Sequence, residues 1–556
     1  MKSVMRHDFG ITPEVRPPRS VFSHRHGHKT AFNSGLLVPI YRGEVLPGDT
    51  FNVRATLLAR LQTLKYPIMD NIFLDTFWFF VPQRLLWKHW EQFQGSRDTI
   101  AEIENPTDYV MPVLGYLEES TPTAGTYVTE ESLSDYLGLP IGQGDVSKED
   151  MPWIRACWHR AYYKIYNSWF RDENMIDPVT EDVGDGPDVT DYQLQRRGKR
   201  KDYFTSLLPW PQKGPAIELP LGSTAPVLPA TLNGHPQSIG LYDGTNEFGL
   251  IHEQTTGAII ASTAAYNVNQ GAAASGSALS NYNKAIGLRV NPSESGLIAD
   301  LSLATAATIN SIREAFQLQK LLERDARGGT RYVEMLKAHF GVTSPDFRLQ
   351  RPELLHVSSA RINVHQVEQT SESTTGNPIG KLGAFGYCLD QGVQFSKGFV
   401  EHGVILGIAS VRADLTYQQG IPRCFLRSTR YDFYMPVLAG LGEQEITKKE
   451  IFWEGSSDDD DIFGYGPRWD EYRSHLSQIT GKMRSTVATG SLQNWHLSQV
   501  FDSSVELVQD FIEENPPISR VIFATTEPEV IFDSLLDVKV ARVMPLYGIP
   551  GMVDHF

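Results

Sequence analysis

Apolar positions organise this chain around residues 45–95. A tight turn, Leu46-Pro47-Gly48-Asp49, opens the stretch: proline presets φ, glycine permits positive φ, and the aspartate can bond its own backbone. A run rich in β-branched and long apolar residues follows, and a second turn signal spans Pro67 to Asn71. Ile72 to Val81 then reads as a strand. In an extended chain Phe73, Phe77, Phe79 and Val81 share one face with Asp75, while Ile72, Leu74, Trp78 and Phe80 share the other. Both faces are mostly apolar, which predicts a central strand covered on both sides. Pro82 stops it, and Arg84 to Gln94 predicts a short aromatic helix ended by Gly95.

The same reading continues along the chain. Thr30 to Arg42 predicts a strand broken by Pro39, hence near an edge or a bulge. Residues 105–150 are loop-like. Between Pro152 and Asp172, Trp153, Cys157, Ala161, Ile165 and Trp169 fall four apart as a helical stripe, with Trp158, Tyr162 and Tyr166 beside it. Such a stripe is packing surface. Ala304 to Arg327 predicts a helix with Ile309, Ile312, Phe316 and Leu321 on one broad face. Gly328-Gly329 ends it, and Thr330 starts a second helix that Gly341 closes. Strands return after Ser358: Arg361 to Gln369 alternates, Gly403 to Val411 reads as a buried strand, and Arg430 to Tyr434 as another. Tyr465 to Gly481 and Trp495 to Phe556 read as an extended aromatic arm that needs a neighbour. Strands far apart in sequence must pair, which suits a Greek-key sandwich with large loops.

At 556 residues the chain exceeds the usual single domain, so two domains or one with long insertions are expected. Cys157, Cys388 and Cys424 are sparse and far apart, which argues for reduced thiols and cytosolic folding. The N-terminus carries no apolar signal-peptide core, and no apolar span is long enough for a bilayer. A formal charge of −16 argues against a protein coating nucleic acid over its whole surface, but leaves room for a local basic face.

Two segments supply that charge. Residues 1–30 form a basic arm with Lys2, Arg6, Arg16, Arg19, Arg25 and Lys29 against Asp8 and Glu14, kept extended by Pro13, Pro17 and Pro18. It reads either as a solvated terminus or as an arm that meets nucleic-acid phosphates. Within it His24, His26 and His28 alternate. No nearby cysteine or carboxylate completes a tetrahedral set, so no metal is expected; contact with base or phosphate, or a packed interface, are the other readings. The second segment is Arg196, Arg197, Lys199, Arg200 and Lys201, flanked by Tyr192, Tyr203 and Phe204. Cations interleaved with aromatics suit a single nucleic-acid strand, though also a solvated face or a neighbouring subunit.

Leu221 to Ala299 is the clearest break in composition, poor in charge and rich in Gly, Ala, Ser, Thr and Asn. It predicts a linker or short strands with tight turns forming an exposed protrusion. Asp458 to Asp461 lacks the spaced acids and closing Glu of an EF-hand, so it reads as a solvated acidic loop. No GxSxG, P-loop, HExxH or strand-linked GxGxxG is present, and no cofactor is expected. Glu118-Glu119 and Glu130-Glu131 sit in polar loop sequence; they keep a glycoside-hydrolysing or carbohydrate-binding β-sandwich as the alternative function.

The block GEVLPGDTF, then PIMDN and FFVP-RLLW--W--F-G, resembles the major capsid protein of gokushovirus-like Microviridae, small single-stranded DNA phages. Leu208 to Gly214, Arg324 to Tyr332, His339 to Val342, Arg348 to Glu353 and Pro545 to Gly551 extend the match collinearly. The resemblance covers most of the chain, apart from Leu221 to Ala299 and parts of 106–150. It implies a mainly β protein: an eight-stranded antiparallel jelly roll with long loop insertions and several α-helices. The parts it implies are the arm 1–30, a first barrel part 31–220, a threefold surface insertion 221–299 for host attachment, and 300–556 with a helical insertion, the remaining strands and a C-terminal arm. By the same resemblance sixty copies form a T=1 virion shell, assembled in the bacterial cytoplasm without membrane insertion. The implied partners are packaged single-stranded DNA, a small basic DNA-binding protein, an internal scaffolding protein, a pilot protein and a bacterial surface receptor.

Overall fold

A computed structural model describes residues 18–97, 99–105, 107–114, 128–141, 154–217, 309–373, 375, 378–503 and 505–548, with the backbone of short strands between 227 and 299. Nine strands form one curled antiparallel sheet: β1 (Ser20–Ser23), β2 (His26–Phe32), β3 (Val38–Val45), β4 (Thr50–Leu61), β5 (Ile72–Pro82), β6 (Glu353–Glu368), β7 (Leu382–Gly398), β8 (Gly403–Ala413) and β9 (Val530–Arg542). Both β1 and β2 pair with β9, so the nine strands fill eight positions, in the order β1/β2-β9-β4-β7-β6-β5-β8-β3. The first four positions make one layer and the last four the other. The β6–β7 hairpin joins them: the first part of β6 pairs with β5 and its last six residues pair with β7. This is the jelly-roll arrangement that the alternation and the resemblance both imply.

The core between the layers holds Trp78, Ile72, Leu74 and Phe80 of β5 with Phe51, Val53 and Leu57 of β4 and Phe532, Leu536 and Val538 of β9. Each large apolar side chain buried there contributes about 1.5–3 kcal/mol. On the other side of β5, Phe79 and Val81 pack with Leu406 and Ile408 of β8 beneath helix α1 (Cys157–Ile165). The two predicted faces of β5 are thus both covered. Cys157, Ala161 and Ile165 of the tryptophan-rich stripe are buried; a π-helical turn, Tyr166–Phe170, then swings Phe170 edge-on to Phe77 at 5.0 Å and Trp169 against Phe79 at 5.6 Å.

Turn chemistry behaves as the sequence predicts. Gly48 adopts φ +87°, and Asp49, fully buried, accepts from the Leu46 amide at 2.9 Å and pairs with Arg542 at 2.7 Å. That ion pair ties the β3–β4 turn to the end of β9. Pro39 lies on the edge strand β3 beside a bulge, since Tyr41 faces Gly407 and Pro39 faces Ile408, leaving Ile40 as the extra residue. Helices α2 (Ile309–Gly328) and α3 (Tyr332–Phe340) end at Gly329 (φ +95°) and at the left-handed Gly341.

Three expectations are corrected. Arg430–Asp432 is a single exposed 3₁₀ turn, because Asp432 caps Thr429 and Ser428 instead of extending. The C-terminal region is no free arm: Val530, Phe532, Leu536, Val538 and Val540 alternate into the core as β9. Likewise Ser20–Ser23 and His26–Phe32, within and just beyond the expected arm, are strands of the sheet. On α2, Ile309, Phe316 and Leu321 are exposed. By contact the chain divides into 1–213 with 323–556, and a smaller unit 214–322.

Asp75 points away from the sandwich core yet is 4 % exposed. Its carboxylate accepts from Ser359 at 2.5 Å and pairs with Arg197 at 2.5 Å and Arg412 at 2.7 Å. Burial pushes its pKa up, but these hydrogen bonds and the Arg197 charge win and hold it below the usual aspartate value. Asp75→Ala leaves Arg197 without its anion and Arg412 with only Asp414 at 3.7 Å, and is expected to cost about 3 kcal/mol, read as a lowered urea midpoint of the unassembled protein.

His159 on α1 is buried, with Nε2 2.9 Å from Ser134 Oγ. Burial lowers its pKa from 6.5 to about 4, with the Asp188 charge opposing. Between those values the unfolded chain takes up a proton that the folded chain refuses. Stability from this group is therefore complete above pH 6.5 and falls by up to about 3 kcal/mol on acidification towards pH 4. Urea titrations at pH 7 and pH 4.5 should show a smaller acid loss for His159→Asn than for the parent chain.

Candidate functional site

The densest run of cations does not lie free on the surface. Segment 196–201 is pinned between the loop before β3 and residues 511–515: Leu36 bridges Arg196, and Gly198 bridges Glu513. Gly35 (φ +78°) makes this approach possible, because a Cβ there would sit 1.9 Å from the Glu514 carbonyl oxygen. Arg196 donates to the Glu514 carbonyl at 3.2 Å, and Arg197 lies 5.0 Å over the Phe77 ring while pairing with Asp75. Lys199 is 7 % exposed, donates to Gln499 at 2.8 Å and to the Phe511 carbonyl, and sits 4.5 Å above the Phe511 ring. Burial lowers its pKa to about 8, with Glu514 and Asp202 pulling the other way. Only Arg200 and Lys201 are exposed, and they face Asp414 at 3.9 Å and Asp172. The run thus supplies counter-charges to the body of the fold, and its outer end alone is open to a ligand.

The N-terminal candidates divide differently. Arg16 lies outside the described residues. Arg19 donates to the Gly48 carbonyl, and Arg25 is exposed at the break between β1 and β2. His26 and His28 stand opposite Leu536 and Ser534, on the core side of the edge strand, whereas Lys29 points outward to Asp533 at 3.1 Å. His26 stacks beside Tyr41, and burial lowers the pKa of His28. His24, whose amide donates to the Val538 carbonyl at 2.7 Å, sits at the break with Arg25. Of the insertion bounds, Leu221 lies outside the described residues. Ala299 ends a short strand, Leu297–Ala299, that pairs with Val227–Pro229.

Residues 423–441 carry a feature that sequence periodicity does not announce. Three 3₁₀ turns present Phe425 (78 % exposed) and Val437 (92 %), with Tyr431, Phe433, Tyr434 and Leu441 also exposed. The turns are fixed from below: Arg423 pairs with Glu450 at 2.7 Å, Arg427 with Glu471 at 3.2 Å, and Trp469 donates to the Leu438 carbonyl at 3.3 Å. Contiguous exposed apolar surface of this kind is typical of interaction sites. The only sequence signal is the density of aromatics in a polar context.

Chemistry of the glycosidase kind finds little support in the geometry. Glu450 and Glu471 line one cleft of about 460 Å³, but both carboxylates are occupied by the Arg423 and Arg427 guanidiniums. Glu130 and Glu131 are exposed, and Glu118-Glu119 lie outside the described residues. Asp460 and Asp461 of the acidic run pair with Lys449 and Lys448. Among the described residues no group of three or more His, Cys, Asp or Glu side chains is placed to hold a metal, and no helix is long and apolar enough to cross a membrane.

Comparison with known proteins agrees with a subunit built for association. The chain is 42 % identical to the capsid protein VP1 of Bdellovibrio phage phiMH2K, over 99 % of this chain and 98 % of that one. It is 36 % identical to the capsid protein VP1 of Chlamydia phage 1, over 99 % and 98 %, and 34 % identical to that of Spiroplasma virus 4, over 98 % and 97 %. A family model described as capsid protein (F protein) matches residues 12–552. With nearly its whole length matched and its strands in jelly-roll order, the chain belongs to the F-type capsid protein family of the Microviridae.

Proposed function

We propose that this chain is the structural subunit of a T=1 shell in which sixty copies enclose a circular single-stranded DNA genome. Membership of the capsid family already carries self-assembly and a place in the virion. The finer reading rests on the resemblance to gokushovirus-like capsids and on one observation above all: the exposed, rigidly anchored apolar surface at 423–441, which a neighbouring copy would cover. The chain acts by association, not catalysis. In this reading 221–299 forms the surface protrusion that meets the bacterial receptor. The scaffolding, pilot and small basic DNA-binding proteins join during assembly in the host cytoplasm.

Sedimentation and negative-stain imaging of the purified protein, co-expressed with scaffolding protein, should give closed shells near sixty times the 62.3 kDa chain mass. Phe425→Asp with Val437→Asp should abolish shells while leaving a folded monomer, because both side chains are exposed before assembly; shells forming in normal yield would remove this surface from the interface.

The N-terminal cations Arg16, Arg19, Arg25 and Lys29, the last paired with Asp533, and Arg200 and Lys201 at the outer end of the basic run are the residues assigned to DNA in this reading. Replacing Arg16, Arg19, Arg25 and Lys29 together by Ser should lower packaged DNA, measured as the 260/280 nm absorbance ratio of purified particles, with the shell yield unchanged. An unaltered ratio would exclude the arm from DNA contact.

A further inference from the structure

Strand alternation gathers a second set of cations that is scattered in the sequence. On β4, Phe51, Val53, Leu57 and Leu61 face the core, so Arg54 and Arg60 face outward. Arg60 stands opposite Ile531 of β9 and Tyr387 of β7, and Tyr387 stands opposite Asn363 of β6. Arg361, two residues before Asn363 on the same side of β6, stands opposite Phe73 of β5 where the sheet curls into the other layer, and Lys539 of β9 stands opposite Asn52 of β4. Arg54, Arg60, Arg361 and Lys539 are all exposed. None has an ion-pair or hydrogen-bond partner among the described residues, in contrast to Arg197 and Lys199 of the dense run.

Aromatic rings lie in the same sheet face. His365 stacks on Phe385 at 5.5 Å and 26° and on Tyr387 at 5.3 Å and 20°, while Phe385 and Tyr387 are 11° from parallel. Tyr387 is 42 % exposed. Asp533 and Asp537 are the acids facing this surface from β9; Asp533 is neutralised by Lys29 at 3.1 Å, and Asp537 stands opposite Arg54 without an ion pair to it. A chain carrying −16 overall thus presents one sheet face where cations outnumber acids.

We propose that the exposed face of the β9-β4-β7 layer, continued onto the end of β6, is a binding site for single-stranded DNA. Arg54, Arg60, Arg361 and Lys539 pair with phosphates, and the His365–Phe385–Tyr387 stack receives bases. The six residue steps from Arg54 to Arg60 span about 20 Å of extended strand, room for several nucleotides. Guanidinium groups that make no ion pair within the chain meet phosphate without breaking one, and an already stacked aromatic ladder accepts a base without reordering. This deepens the shell reading above and rests on it.

The test uses the full-length unassembled chain and an end-labelled oligothymidylate of about 20 nucleotides, longer than a typical single-strand site of about 4–16, with binding read by fluorescence anisotropy across salt. Arg54→Ser, Arg60→Ser and Arg361→Ser together should reduce the slope of log K against log salt by about 2, at about 0.7 for each lost phosphate contact. Tyr387→Ala should weaken oligothymidylate binding about tenfold and leave binding of an abasic strand of equal length unchanged. An unchanged salt slope, or equal losses on both strands for Tyr387→Ala, overturns the site. Urea midpoints identical to the parent show that these surface variants are folded, and Arg60→Lys should keep the salt slope. Ultraviolet crosslinking in purified particles separates this inference from the reading beneath it. Particles that hold DNA crosslinked only outside β4, β6, β7 and β9 overturn the site and leave the shell standing; particles without DNA overturn the genome-enclosing reading itself.

Discussion

A single buried carboxylate constrains much of this molecule. Asp75 lies in the middle of a strand covered on both faces, where an unpaired charge would be intolerable. Its two guanidinium partners come from opposite regions of the chain, Arg197 from the basic run after α1 and Arg412 from β8. Ser359 of β6 supplies a further donor. Satisfying one anion therefore fixes the register of β6 and β8 on either side of β5 and docks the 196–201 segment across them. The hydrophobic core supplies most of the stabilisation and forbids a one-residue slip; the charge cluster also opposes a two-residue slip, which would keep the apolar side chains inward.

That arrangement explains why the most conspicuous cluster of positive charge in the sequence is largely internal. Density along the chain reports nothing about the side of a surface on which charges emerge. Period-two alternation does, because it assigns alternate residues to opposite faces. Arg54 and Arg60, unremarkable in sequence, are placed outward by the same pattern that sends Phe51, Val53 and Leu57 inward. Electrostatics of a β protein are thus set by register as much as by composition.

Much of the barrel is legible in the residues alone. The apolar split of β5, the Leu46–Asp49 turn, the edge position of Pro39 and the glycine stops at Gly329 and Gly341 follow from sterics and local hydrogen bonding, which act within a few residues. What escapes such reading depends on distant partners. Val530 to Val540 carries a clean alternation, yet reads as a free arm until β2 and β4 are known to leave a gap for it. Arg430–Tyr434 has the composition of a strand, but Asp432 turns back to cap its own backbone. The candidate site is legible only in part: the basic arm and run are visible as charge, whereas the exposed turns at 423–441 and the outward cations of the sheet need three-dimensional context.

The position of β9 has a bearing on how the subunit is made. It is the last strand of the sheet along the chain but fills the second position in space, hydrogen-bonded to β2 on one side and to β4 on the other. During synthesis both neighbours leave the ribosome some five hundred residues before it does, so their facing edges stay open and the sandwich cannot close. A polypeptide that terminates early is left with two unpaired strand edges and an uncovered core, a state that chaperones and proteases recognise. Because the sheet closes only with β9, the sandwich core stays uncovered until almost the whole of the described sheet has been made.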